Sequence, residues 1–183
     1  LLRNEVKKNT LLGKEIKPLI DKGSFVSDKI IDELINKTLI NKDHHNKLIF
    51  DGYPRNLSQA KDLEILSKKY NQKISCVLNL KVEKNIVIKR ILGRQVCSKC
   101  GLIFNEFFKP STKLNHSCDT AFLTKRSDDN KKIIEKRFDT YNDKTFPILD
   151  FYNNMNLLHE INGMAKIDDI YKEIHSIIAP LHT

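Results

Sequence analysis

The sequence predicts an α/β fold, with a parallel β-sheet flanked by helices and one small inserted module. Three observations lead there. Short apolar runs of strand length alternate with stretches of helical period along most of the chain. That alternation builds parallel sheets, because a parallel partner is reached only by a crossover. One stretch, Gly93 to Asp129, breaks the rhythm and holds three of the four cysteines. The composition is that of a folded chain: 183 residues, 40% hydrophobic and 30% charged, with no apolar run longer than four. This excludes a disordered chain and a membrane-spanning helix.

Each element has a local reason. Asp28 to Ile40 carries Ile30, Ile31, Leu34, Ile35 and Leu39 as a helical stripe behind an N-cap at Ser27 or Asp28. Leu48-Ile49-Phe50 reads as a short strand entering the turn Gly52-Tyr53-Pro54. Ser58 to Tyr70 is predicted helical, with Ala60, Leu63, Leu66 and Tyr70 on one face. Ile74 to Leu80 is a second strand and Glu83 to Leu92 a helix. Asn130 to about Asn153 is helical, interrupted near Pro147. Leu157 to Ile161 is a third strand, ended by Asn162-Gly163, and Asp168 to Ile178 a last helix. Ligands of such folds sit at the carboxyl ends of the strands. The module from Gly93 to Asp129, too small for a core of its own, is expected to depend on a metal.

The net charge is +9, but only six of the 32 basic residues are arginine. Scattered lysines are mostly solvated surface, so the charge by itself does not predict a nucleic-acid partner. An arginine in a lysine-rich chain points to a need for its planar fork of donors. Cys76 lies in the apolar run Ile74-Ser75-Cys76-Val77-Leu78 and reads as a buried thiol. The start, Leu1-Leu2-Arg3-Asn4-Glu5, does not look like an export leader, so a reducing cytoplasmic setting is expected. There the remaining cysteines, Cys97, Cys100 and Cys118, point to metal rather than disulfides.

Four motifs carry chemistry. Asp51-Gly52-Tyr53-Pro54-Arg55 places a carboxylate, a glycine and an arginine at a strand's carboxyl tip, with Gln59 in the next helix. Gly52 allows close backbone approach and Arg55 can fork a phosphate; the plain alternative is a tight, charged surface turn. Arg90 and Arg94 are spaced i, i+4, as on one helix face, where an anion between them would relieve their repulsion. Arg126-Ser127-Asp128-Asp129 precedes a helix that Asp128 or Asp129 would cap, with Arg137 further along it. Cys97-Ser98-Lys99-Cys100-Gly101 is a zinc-knuckle half-site, and Cys118-Asp119 follows; three thiolates plus Asp119 or His116 make four ligands.

Together these motifs resemble the adenylate kinase family from Leu1 to about Ile178. Leu1-Leu2-Arg3 looks like the end of the family's Thr-Gly-Asp-x-Leu-Arg segment. Asp51-Gly52-Tyr53-Pro54-Arg55 with Gln59 is similar to its Asp-Gly-Phe-Pro-Arg…Gln signature, with tyrosine for the usual phenylalanine. Ile91-Leu92-Gly93-Arg94 opens a lid and Arg126-Ser127-Asp128-Asp129 with Arg137 closes it. The Cys-x-x-Cys lid is similar to that of long-lid, bacterial-type members.

The resemblance implies a P-loop nucleoside monophosphate kinase-like fold with a zinc-ribbon-like lid. It divides the chain into an AMP-binding segment at 1–26, core at 27–92 and 130–183, and lid at 93–129. It implies transfer of a phosphoryl group from ATP to AMP to give two ADP, by a monomer acting on small nucleotides without nucleic acid or membrane. Arg3 and Arg55 would hold the AMP phosphate and Gln59 would read its adenine. Ser24, Phe25, Val26, Gly52, Tyr53 and Pro54 would line that site, and Arg126 and Arg137 would reach into it. Arg90, Arg94, Ile103, Phe104 and Ala165 would bind ATP. Arg94, Arg126 and Arg137 would surround the phosphate in transfer, with Asp51 on the water shell of Mg²⁺. Structural Zn²⁺ would sit on Cys97, Cys100, Cys118 and Asp119. All six arginines are used in this assignment.

The family's G-x-x-x-x-G-K-[ST] phosphate loop does not occur in this sequence; Gly13-Lys14 leads into Glu15. The expectation is that a strand, that loop and a helix, roughly thirty residues, precede Leu1 and that this chain is a fragment. The alternatives are a kinase for another nucleoside monophosphate, a nucleic-acid-binding zinc ribbon, or a degenerate kinase kept for nucleotide binding.

Overall fold

The structure is a computed structural model and describes residues 1–22, 24 and 26–182. They group into two compact units, one of Leu1, Val26–Val82 and Asp139–Thr183, the other of Leu2–Phe25 and Glu83–Phe138.

The first unit contains α3 (Asp28–Ile40), α4 (Leu57–Lys69), β1 (Val77–Lys81), α7 (Pro147–Asn153), β5 (Leu158–Asn162) and α8 (Ile167–Ile178). β1 and β5 pair in parallel, Val77 opposite Leu158 and Leu80 opposite Ile161. Helices α7 and α8 contact β5, and α4 packs on α3 and α7. This is the parallel sheet with flanking helices that the sequence predicts. The apolar stripe of α3 puts Ile35 and Leu39 in a core with Leu63 of α4; Ala60, Ile148 and Tyr152 make a second cluster. Burying such side chains stabilises by roughly 1.5–3 kcal/mol each.

One predicted strand is not paired. Leu48–Phe50 makes no ladder among the described residues, although Leu48 and Phe50 pack on the Ile35–Leu63 core while Ile49 is 91% exposed. The two-residue alternation of a strand is therefore present without a paired neighbour. The helix expected from Asn130 to about Asn153 is interrupted near Pro147 as the sequence predicts, dividing into α6 (Lys131–Thr140), a π-turn at Tyr141–Thr145, and α7. Pro147 offers no N–H and crowds the preceding turn, and the ladder widens there, with Phe146 N–H reaching back to the Tyr141 carbonyl at 2.8 Å.

The second unit contains α1 (Leu2–Lys7), α2 (Leu11–Asp21), α5 (Lys84–Leu92), β2 (Arg94–Cys97), β3 (Ile103–Asn105), β4 (Leu123–Thr124) and α6. The three strands form an antiparallel sheet in the order β3-β2-β4. Thr10 caps α2, its hydroxyl accepting from Gly13 N–H at 2.9 Å. No helix among the described residues is long and apolar enough to cross a membrane.

Asp32 on α3 stands out. Its Oδ1 is buried without a hydrogen-bond partner among the described residues. Burial, reinforced by Asp62 and Asp28, pushes its carboxyl above the usual carboxylate range. A raised folded pKa helps stability below the unfolded value and is a penalty once pH rises through the folded value. Asp32→Asn is therefore expected to raise the melting temperature at pH 7, by the equivalent of about 1 kcal/mol. The gain should shrink as pH falls toward 4; calorimetry across that range checks both sign and trend.

Candidate functional site

Four of the six arginines meet in the second unit. Arg3 on α1 and Arg137 on α6 both donate to Asp128 Oδ2, at 2.9 and 2.7 Å. Arg94, the first residue of β2, grips Asp129 in a fork, Nε on Oδ2 at 2.9 Å and Nη2 on Oδ1. Asp128 is only 1% exposed. Burial pushes its carboxyl up, but the Arg137 and Arg3 guanidiniums outweigh that and hold it below the usual range. Arg94 is raised, chiefly by its hydrogen bond to Asp129. Arg126 lies beside this group; its carbonyl accepts from Asp129 N–H at 3.1 Å, but its guanidinium has no hydrogen-bond partner among the described residues, and burial with the repulsion of Arg94 and Arg3 lowers it. Four guanidiniums against two carboxylates leave two positive charges uncompensated, which is the electrostatics of a polyanion site.

Two sequence expectations are corrected here. Asp128 and Asp129 do not cap α6; Asn130 does, accepting from Ile133 N–H at 3.0 Å. Arg90 and Arg94 do not share a helix face, because α5 ends at Leu92 and Gly93 hands the chain into β2. Instead Arg90 lies over the Phe108 ring at 5.4 Å, and its carbonyl accepts from Asn105 Nδ2. Ile103 is half exposed, whereas Phe104 is buried with its ring 4.6 Å from that of His116.

In the first unit, the turn after Phe50 runs Asp51 to Arg55, with a cis bond between Tyr53 and Pro54. Gly52 has φ +73°, where a side chain is strained, and a Cβ there would press on Arg55 Nη2 at 3.0 Å. Arg55 Nε donates to the Gly52 carbonyl at 2.6 Å and its backbone N–H to Gln59 Oε1 at 2.8 Å. Gln59 is 3% exposed, and Asn56 caps α4 by accepting its N–H at 2.9 Å. Asp51 is exposed. Ala165, also in this unit, donates its N–H to the Asn162 carbonyl. Val26 is buried there, and Ser24 of the other unit accepts from Lys136 at 3.4 Å. Phe25 lies outside the described residues.

The cysteine motif closes on itself. Donor atoms of Cys97, Cys100, His116 and Cys118 all lie within 4.8 Å of one another. Gly101, at φ +77°, makes the turn between the first two and the following strand. Burial would raise the Cys97 thiol, but the backbone N–H groups of Cys100 and Lys99 lower it to about 6. Burial and the neighbouring Cys100 and Cys97 raise Cys118. Asp119, expected as the fourth donor, is not in this group; its carboxylate accepts from Ala121 N–H at 2.7 Å and caps a short turn. The donor within reach is His116, the option the sequence left open, and the Cys-x-His spacing was its signal only in reverse, His116-Ser117-Cys118. Its Nδ1 is 2.9 Å from Ser111 Oγ, the kind of outer partner that orients a ligating imidazole. Three sulfurs and one imidazole suit a tetrahedral Zn²⁺. Cys76 is half-buried, and burial raises its thiol.

Residues 1–157 match the family model described as adenylate kinase. An adenylate kinase of Pelagibacter ubique (strain HTCC1062) is 43% identical over 178 residues, covering 97% of this chain and 84% of the relative. One from Listeria monocytogenes serotype 4b (strain CLIP80459) is 34% identical, covering 98% and 84%. One from Archaeoglobus fulgidus is 34% identical, covering 97% and 82%.

Proposed function

This chain belongs to the adenylate kinase family, a family of phosphotransferases, and from that premise we propose that it transfers a phosphoryl group reversibly from ATP to AMP, giving two ADP. The observation that carries the reading is the cluster of Arg3, Arg94, Arg126 and Arg137 on two buried carboxylates, with positive charge left over. Phosphoryl transfer asks little covalent work of a protein; it needs aligned donor and acceptor and positive charge where the moving group's oxygens develop theirs.

The roles divide by chemistry. Arg94, Arg126 and Arg137 neutralise the phosphoryl group in transfer. Asp128 and Asp129 hold Arg137 and Arg94 in fixed orientations, so little reorganisation is needed when substrate arrives. Arg3 and Arg55 bind the AMP phosphate, and Gln59 reads its base. Arg90 stacks on the adenine of ATP. Mg²⁺ arriving with ATP would offset the charge of the donor phosphates, and Asp51 is the residue that would hold its water shell. In the cysteine knuckle, Cys97, Cys100, His116 and Cys118 hold a structural Zn²⁺ that fixes the small β3-β2-β4 sheet.

The test is ADP formation from ATP with AMP, measured on the full natural chain. Arg55→Ala is expected to raise KM for AMP at least tenfold, the scale of a lost charge-assisted pair, with a smaller change for ATP. Equal effects on both substrates would count against Arg55 as an AMP ligand, and absence of AMP-dependent ADP formation would sink the activity itself.

A further inference from the structure

Asp28, the first residue of α3, has no part in the roles above. Its carboxylate nevertheless receives three hydrogen bonds from the start of α4. Gln59 Nε2 donates to Oδ1 at 2.6 Å, and Asn56 Nδ2 to Oδ1 and Oδ2, both at 3.1 Å. On the other end of the same amide, Gln59 Oε1 accepts from Arg55 N–H at 2.8 Å.

A carboxamide has ends of opposite character, an acceptor oxygen and a donor NH₂. Turning the Gln59 amide over would set its oxygen against the Asp28 carboxylate and its NH₂ against the Arg55 N–H. Both contacts are repulsive, and burial makes such mispairing costly. The amide is therefore held one way round before any nucleotide arrives. Asn56 braces the arrangement, because its oxygen caps α4 on Gln59 N–H while its NH₂ sits on Asp28.

The two purines present opposite patterns to such an amide. Adenine offers an exocyclic amine donor beside an acceptor nitrogen; guanine offers a carbonyl acceptor beside an N–H donor. An amide locked one way tells them apart, whereas one free to turn over serves either.

We infer that Asp28 is a positioning residue for base selection, locking the Gln59 carboxamide in the orientation that accepts adenine and opposes guanine. The inference rests on the reading that Gln59 faces the base of AMP. It adds to that reading the residue that makes Gln59 selective.

The experiment compares kcat/KM for AMP and for GMP in wild type, Asp28→Asn, Asp28→Ala, Gln59→Ala and the Asp28→Asn/Gln59→Ala double variant, all in the full natural chain. The AMP/GMP ratio is taken within one preparation, so a smaller folded fraction cancels. Asp28→Asn keeps the shape of the side chain but offers an amide that can pair either way. It is expected to lower the ratio about tenfold, one hydrogen bond to a charged group. Asp28→Ala should lower it as much, and the double variant should fall no lower than Gln59→Ala alone. An unchanged ratio in both Asp28 variants, with the Gln59→Ala ratio reduced, overturns the role of Asp28. A further tenfold fall in the double variant also overturns it, because Asp28 would then act apart from Gln59. An unchanged ratio in Gln59→Ala defeats instead the reading on which the inference rests.

Discussion

Arg126→Ala is expected to lower kcat by about 10³-fold, the scale of removing an arginine from phosphoryl transfer, while leaving the melting temperature unchanged or slightly higher. The two halves of that result have one cause. The Arg126 guanidinium makes no hydrogen bond among the described residues and is lowered by burial and by the nearby Arg94 and Arg3. In the ligand-free protein burial and that repulsion outweigh the attraction of Asp129 and Asp128, so deleting the guanidinium relieves the fold. Its charge is useful only when a polyanion joins the cluster. Arg126→Lys should recover little, because a point charge does not supply the planar fork. Steady-state kinetics and calorimetry on the same preparations decide it. A fall in kcat of less than tenfold would remove Arg126 from the reacting phosphate, and a melting temperature several degrees lower would give it a structural role. Arg137→Ala makes the contrast: it leaves the buried Asp128 with Arg3 as its one paired guanidinium, so stability should fall together with rate.

The second large effect concerns the cysteine knuckle. Protein prepared with zinc present is expected to carry one ion per chain, and His116→Ala or Cys118→Ser should reduce that to near zero. The same variants should lose several kcal/mol of stability, within the roughly 10–16 kcal/mol that structural zinc sites supply. Asp119→Asn should keep its zinc, because that carboxylate is occupied with Ala121 N–H. Metal content by elemental analysis gives the answer directly. Zinc retained in His116→Ala and lost in Asp119→Asn would restore Asp119 as the fourth ligand.

Those two variants mark where sequence reading stops. Cys97-x-x-Cys100-Gly101 is a local pattern, and its spacing alone puts two thiols on one ion. The fourth donor within reach, His116, comes from a loop whose backbone path no periodicity describes. Asp119 lies next to Cys118 in sequence, yet it is spent on its own turn. Asp128 and Asp129 show the same limit. As acids ahead of an apolar helical stripe they read as caps, which is their commonest use. Only the fold brings Arg3, 125 residues away, onto Asp128. The Leu48–Phe50 segment shows the limit for strands, because alternation fixes which side chains face the core but not whether a neighbour completes the ladder.

By itself the sequence determined what depends on short range. The bounds of α3 at Asp28–Ile40 follow from a 3.6-residue stripe, and those of α4 came within one residue of the expected start and end. The turn Asp51–Arg55, the knuckle half-site and the alternation of strand and helix were likewise legible, and they suffice to identify the family. What only the tertiary structure decided is which polar groups meet: Asp128 with Arg3 and Arg137, Asp129 with Arg94, His116 with the three thiols, and Asp28 with Gln59. A hydrogen-bonding side chain carries no label for its distant partner. Pairing is set when packing removes water from around it and leaves the nearest complementary group as the only way to satisfy its charge or its lone pairs.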